Sequence, residues 1–131
     1  MALPQLALMV LDDTFAIGRL GSDAPIPSWA TAGDLVSITR TADELSVVCR
    51  QDAVPEGIPC ERGWRCLRLA GTIPFSVVGV LASLTAPLAK AGISVFALST
   101  FDTDYLLLKE EDLERAIDVL RRQGHTVQSG A

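Results

Sequence analysis

The feature that most constrains this fold is a change of hydrophobic period in the second half of the chain. Residues 64–70 roughly alternate between apolar and charged side chains, as a half-buried strand does. Residues 76–90 instead carry Val and Leu at helical spacing, and Gly92 follows where helices commonly end. A strand followed by a helix, which Pro87 bends without ending, is therefore predicted.

The residues that follow complete a recognisable order. Residues 93–98 and 105–108 are two apolar runs of strand length on either side of a polar turn. Residues 110–123 form an amphipathic pattern that begins with acidic and ends with basic side chains, as the helix dipole favours. With residues 125–128 as a last strand, the order is the split βαβ, ferredoxin-like arrangement of an α+β protein.

The first half repeats this pattern only in part. Residues 6–10 and 15–20 predict a hairpin around Asp12-Asp13-Thr14, because Asp and Thr can bond the local backbone in a turn. Residues 35–39 and 45–50 predict a second strand pair, but the helical pieces are short. We therefore expect two modules, residues 1–61 with a linker and residues 62–131, of which the first is degenerate.

Composition excludes several classes of protein. The net charge is −5 and the eleven basic residues are scattered, whereas a nucleic-acid-binding protein would cluster them. The uncharged run 69–89 just reaches the roughly 20 residues of a membrane span, but Gly, Pro, Ser and Thr interrupt it. We expect neither nucleic acid nor membrane as a partner.

The cysteines and the single histidine indicate the cellular setting. Cys49, Cys60 and Cys66 are odd in number and lack metal-like spacing, and one histidine leaves a zinc site short of ligands. His125, beyond a helix end, is expected to be a surface residue. No secretory signal is evident at the N-terminus. We expect a cytoplasmic protein with reduced thiols and with no metal or cofactor.

The polar turn at residues 99–104 holds two carboxylates, three hydroxyls and an aromatic ring between apolar runs. Polar groups placed there need partners, which a small zwitterion could supply. Asp102 and Asp104 are alternatively a solvated turn or a metal-binding pair. No Ser, Cys or Lys is placed beside a base, so we do not expect an enzyme.

Several residue runs resemble bacterial tandem ACT-domain amino-acid-binding proteins. They are Ser37-Ile-Thr-Arg-Thr41, residues 44–48, residues 79–92 and, most specifically, residues 92–108. The chain is similar to one half of the CASTOR-type arginine sensors, which belong to this family. The resemblance implies two ACT-like modules with the βαββαβ order, and a free amino acid bound where modules pair.

The resemblance also implies a set of ligand-binding residues and a homodimer that completes the site. The residues form one wall with Pro74, Phe75, Ser76, Val77 and Val80, a second with Thr100, Phe101 and Asp104, and a partner's strand edge with Ser94 and Val95. Residues 75–80 contain no acidic group for an arginine side chain, so the ligand's identity stays open.

The function expected from the sequence is non-catalytic binding of a free amino acid at an ACT–ACT interface, for sensing or regulation. A downstream protein partner would receive the signal. Two alternatives remain at this point. One is a protein-interaction module that binds no ligand, and the other is a small metal-dependent enzyme that uses Asp102 and Asp104.

Overall fold

The computed structural model describes residues 5–71 and 78–129 of the chain. The strands are β1 Ala7–Val10, β2 Phe15–Leu20, β3 Ser37–Arg40, β4 Leu45–Arg50, β5 Cys60–Leu69, β6 Phe96–Ser99, β7 Asp104–Lys109 and β8 Thr126–Ser129. The helices are α1 Val80–Lys90 and α2 Leu113–Arg122. The fold is therefore α+β, as predicted.

Two compact units make up the chain, Asp13–Trp64 and Met1–Asp12 with Arg65–Ala131. The sequence predicted one boundary, between residues 61 and 62. The observed division differs because it assigns β1 to the second of these two units. Although β1 comes first in the sequence, it belongs to the unit that contains both α-helices.

The unit Asp13–Trp64 is an antiparallel sheet in which β2 and β3 both pair with β4. The predicted β3–β4 pair is confirmed, and its turn is closed by a bond from Thr41 N–H to the Glu44 carbonyl. Short 3-10 turns at Ser28–Thr31 and Gln51–Ala53 are the helical segments of this unit. The first module is thus degenerate, as expected.

In the other unit the elements follow the order β5-α1-β6-β7-α2-β8, which confirms the predicted ferredoxin-like order. The alternating residues of its strands and one stripe of each helix form a common core. Its buried members are Leu8, Val10, Leu67, Leu69, Val80, Leu84, Leu88, Ile93, Leu106, Leu108, Leu113, Ala116, Leu120 and Val127. The predicted stripe of α2 is confirmed, because Leu113, Ala116 and Leu120 are buried on it.

The predicted hairpin between the first two strands is wrong. β1 pairs antiparallel with β5, with Val10 opposite Leu67, and β2 also pairs antiparallel with β5, with Phe15 opposite Trp64. Among the described residues β1 therefore pairs with β5 and β8, and not with β2. The position beside β5 stabilises β1, because Leu8 and Val10 are buried in the apolar core there.

β1 also changes the neighbour of the last strand. In the plain ferredoxin-like arrangement β8 would lie beside β5, but here β8 pairs parallel with β1, with Leu8 opposite Val127. The strand order through this part of the sheet is β5-β1-β8. A strand from the start of the chain is thus enclosed between strands from its second half.

Helix α1 begins later than the sequence predicted. Its first residue is Val80, and Gly79 before it has φ +81°, a left-handed conformation that glycine adopts without a steric penalty. The predicted start at residue 76 lies outside the described residues. The helix runs through Pro87 to Lys90, as expected.

Candidate functional site

The turn between β6 and β7 is closed by hydrogen bonds between its first and last residues. The Thr100 N–H and the Thr100 hydroxyl both donate to the Thr103 carbonyl, at 2.8 and 3.1 Å. The Thr103 N–H donates to the Thr100 hydroxyl oxygen at 3.3 Å. Ser99 and Asp104 face each other as the last strand pair before this turn. The turn is therefore a defined four-residue loop and not a loose connection.

The Asp104 carboxylate is oriented by its neighbour across the two strands. The Ser99 hydroxyl donates to Asp104 Oδ1 at 2.6 Å, a length typical of a hydroxyl bonded to a charged oxygen. Asp104 is half-buried, whereas Asp102 is exposed. Because an ionised carboxylate has about four acceptor sites, Asp104 can accept further donors while it keeps this bond.

Thr103 links the turn to a different strand. Its side chain is 7% exposed, and its hydroxyl donates to the Leu69 carbonyl at 2.9 Å. Leu69 is the last residue of β5, 34 positions earlier in the chain. The sequence showed Thr103 only as one hydroxyl among three, because no local pattern reveals a partner this distant.

Two large apolar side chains of this unit are strongly exposed. Phe101 on the turn is 81% exposed, and Val78, two residues before α1, is 83% exposed. Each leaves apolar side-chain area in water, and association with another surface would be favoured by its burial. The predicted ligand residue Phe101 is thus accessible and not part of the core.

Strand β6 lies at an edge of its sheet in the described part of the chain. It pairs with β7, and no other strand within residues 5–71 and 78–129 pairs with it. Ser94 is exposed and Val95 is half-buried, and both immediately precede this strand. The sequence placed them on the strand itself, which instead begins at Phe96.

The structure brings together Thr100, Phe101 and Asp104 of the predicted site. Val80 is 5% exposed and packs in the core of its unit. Its side chain therefore anchors the start of α1 to the core and does not line an open pocket. The remaining predicted wall residues, Pro74, Phe75, Ser76 and Val77, lie outside the described residues.

The N-terminus of α1 has backbone donors without a partner inside the helix. The Ser83 N–H is bonded to the Gly79 carbonyl at 2.9 Å, so the helical ladder begins there and leaves the N–H groups of residues 80–82 without intrahelical partners. Gly79, as the preceding residue, has no side chain with which to cap them. Such a helix end favours a negatively charged group.

The prediction that His125 lies on the surface is wrong, because the residue is buried. It is 7% exposed, and its Nδ1 accepts a hydrogen bond from the Leu6 N–H at 3.0 Å. His125 immediately precedes β8, which pairs with β1, and Leu6 immediately precedes β1. It satisfies a backbone donor in the fold of this unit.

Two of the three cysteine thiols are buried. Burial raises the pKa of the Cys66 thiol to about 12, and burial is also the main cause that raises the pKa of Cys49. Thiols of this kind are poor nucleophiles at neutral pH. Within the described ranges no cluster of three or more His, Cys, Asp or Glu side chains could hold a metal ion. No helix found there is long and apolar enough to cross a bilayer.

Sequence comparison relates the chain to known domains and sensors. The ACT domain family model matches residues 60–122, and a model of an N-terminal domain matches residues 13–57. The Homo sapiens cytosolic arginine sensor for mTORC1 subunit 1 is 38% identical over 61 residues, or 46% of this chain. The matched segment spans 18% of that sensor's length.

Solved structures share the architecture. A protein from Agrobacterium tumefaciens has a TM-score of 0.94 at 40% identity, over 98% of this chain and 96% of that one. The regulatory subunit of aspartate kinase from Thermus thermophilus has a TM-score of 0.65 at 14% identity, over 88% and 95% of the two chains. The second comparison shows a common fold alone.

Proposed function

Because this chain belongs to the ACT-domain proteins, we propose that it binds a free amino acid, without catalysis, for sensing or regulation. The observation that carries this proposal is the half-buried Asp104 carboxylate, which Ser99 orients on a closed turn at the edge of the sheet. The relative named as a cytosolic arginine sensor supports the same assignment.

The groups at this site suit the two charged ends of an amino acid. Asp104 accepts hydrogen bonds from the ligand's ammonium group, and a charge-assisted bond of this type is stronger than a neutral one. The backbone N–H groups of residues 80–82 and the helix dipole of α1 attract its carboxylate. The two features together distinguish a free amino acid from a residue inside a peptide, which has neither terminal charge.

We place the ligand at an interface between two copies of the chain. In the part of the chain that the structure describes β6 pairs with β7, and residues 97–99 of a second copy would pair along its other side, as strand edges of this kind favour. Ser94 and Val95 lie at the start of that edge, where the partner's residues would close the pocket. Phe101 is 81% exposed, and dimerisation would remove part of its apolar surface from water, which favours the dimer.

Ligand binding would then act as a switch. An amino acid that contacts both copies stabilises the dimer geometry in which it fits, and the gain grows with ligand concentration. A protein in the cytoplasm, where the named relatives are sensors, would report the amino-acid level through this geometry to a downstream protein partner.

A thermal-shift screen with each standard amino acid, followed by analytical ultracentrifugation, tests the proposal. We expect a rise in melting temperature with at least one amino acid and a dimer in its presence. A dimer that shifts with none of them would favour an interaction module without a ligand. A monomer that shifts with none would refute the proposal, and a shift abolished by EDTA would favour the metal site at Asp102 and Asp104.

A further inference from the structure

We propose that Thr103 is a positioning residue, which sets the distance between the Asp104 turn and the strand end that leads into α1. This inference rests on the proposed function, since it concerns the same site. Thr103 does not contact the ligand in this proposal. Its side chain is 7% exposed and faces β5.

The first step of the argument is the covalent position of Leu69. Its carbonyl accepts the Thr103 hydroxyl at 2.9 Å, and it is the last residue of β5. The chain then passes through residues 70–79 to Val80, the first residue of α1. The hydrogen bond thus fixes the turn that carries Asp104 to the end of β5, the strand that precedes α1 in the chain.

The second step is the rigidity of the turn itself. Thr103 donates through its N–H to the Thr100 hydroxyl and accepts through its carbonyl from Thr100, so its backbone is fixed within the loop. A hydroxyl attached to so defined a backbone transmits its position to the whole turn. Because Asp104 is the next residue, its carboxylate moves with Thr103.

The third step is the burial of the bond. In a buried place the Leu69 carbonyl has little access to water, so loss of the hydroxyl leaves an acceptor poorly satisfied there. The turn would be expected to shift in order to recover a partner. A displacement of a few tenths of an ångström suffices to lengthen one of the ligand's hydrogen bonds.

Substitutions at Thr103 separate the hydroxyl from the methyl group. Thr103→Val keeps the shape and removes the donor, whereas Thr103→Ser keeps the donor and removes the methyl group. We expect the Kd of the amino acid that the wild-type chain binds to rise about tenfold in Thr103→Val. A rise of this size corresponds to the weakening, not the full loss, of one charge-assisted hydrogen bond to the ligand. In Thr103→Ser it should stay within about threefold of wild type, as measured by calorimetric titration.

A measurement without ligand keeps this inference separate from the proposed function. The Thr100 N–H is bonded across the turn at 2.8 Å, so its hydrogen exchange reports turn opening. We expect faster exchange in Thr103→Val than in Thr103→Ser, while amides of β7 such as that of Leu107 exchange as in wild type. If the wild-type chain binds no amino acid but this difference is observed, the positioning role stands and the proposed function fails.

Several results would overturn the positioning role. Thr103→Val could bind and exchange as wild type does, or Thr103→Ser could be as impaired as Thr103→Val, which would assign the effect to the methyl group. If Thr103→Val does not fold, Thr103→Ala and Thr103→Ser make the same comparison. Failure of both Val and Ala variants to fold would show that the hydroxyl supports the whole unit and not the turn alone.

Discussion

Replacement of Asp104 by Asn is the most direct perturbation of the proposed site. Asn has nearly the same shape, and its amide oxygen can still accept the Ser99 hydroxyl that Asp104 Oδ1 accepts at 2.6 Å. Asp104→Asn therefore removes the negative charge with little change in geometry. The free energy of unfolding should fall by about 1 kcal/mol or less, since the Ser99 hydroxyl exchanges a charged acceptor for a neutral one.

The expected effect on ligand binding is much larger. A hydrogen bond to a charged group contributes about 1.5–3 kcal/mol, against about 1 kcal/mol for a neutral pair. Loss of the charge opposite an ammonium group should therefore cost about 2 kcal/mol, which raises Kd roughly thirtyfold. Isothermal titration calorimetry with the amino acid found in the thermal-shift screen measures this directly.

Asp102 provides a matched control for the charge. It lies two residues away, is exposed, and carries the same carboxylate. Asp102→Asn changes the local charge equally but removes no proposed contact, so we expect a change in Kd of less than about threefold, since salt screens exposed charges. Wild-type affinity in Asp104→Asn, or an equal loss in Asp102→Asn, would refute the assignment of the ammonium site to Asp104.

Three further predictions concern association, titration and packing. Ser94→Arg, at the exposed entrance to β6, should yield monomers at concentrations where wild type and the control Ser22→Arg are dimers in sedimentation; persistence of the dimer would contradict the interface. Because burial raises the pKa of Cys66 from 9.0 to about 12, the folded chain keeps a proton that the unfolded chain loses. The free energy of unfolding should thus fall between pH 9 and pH 12 by up to about 1.4 kcal/mol per pH unit, and urea titrations should show a flatter dependence for Cys66→Ala. Leu120 is 0% exposed, so Leu120→Ala should lower the free energy of unfolding by about 2–5 kcal/mol in urea titrations. A smaller loss would mean that the core collapses around the cavity.

Local patterns predicted the elements of this fold well because they depend on neighbours in sequence. The bounds of β2 and β4 were predicted correctly, since apolar residues there are bordered by turns rich in Asp, Thr and Glu. The stripe of α2 follows from spacing alone, with Leu113, Ala116 and Leu120 on one face. The turn of the candidate site was also recognisable, because polar residues interrupt two apolar runs.

Partners distant in sequence could not be predicted in the same way. The pattern of β1 indicates a strand but does not state its neighbours, and a nearby turn wrongly suggested β2. The burial of His125 depends on the Leu6 N–H, 119 positions away. Likewise Thr103 gains its importance from the Leu69 carbonyl. In each case the deciding energy is a tertiary hydrogen bond or apolar contact that no short window of sequence contains.

The place of β1 has a consequence for the order in which the fold can form. Its antiparallel neighbour, residues 67–69, and its parallel neighbour Thr126–Ser129 both lie far from it in sequence. Strand pairs that close such long loops carry an entropic cost and form slowly. Leu8 and Val10 therefore have strand neighbours on both sides only after β5 and β8 have each paired with β1.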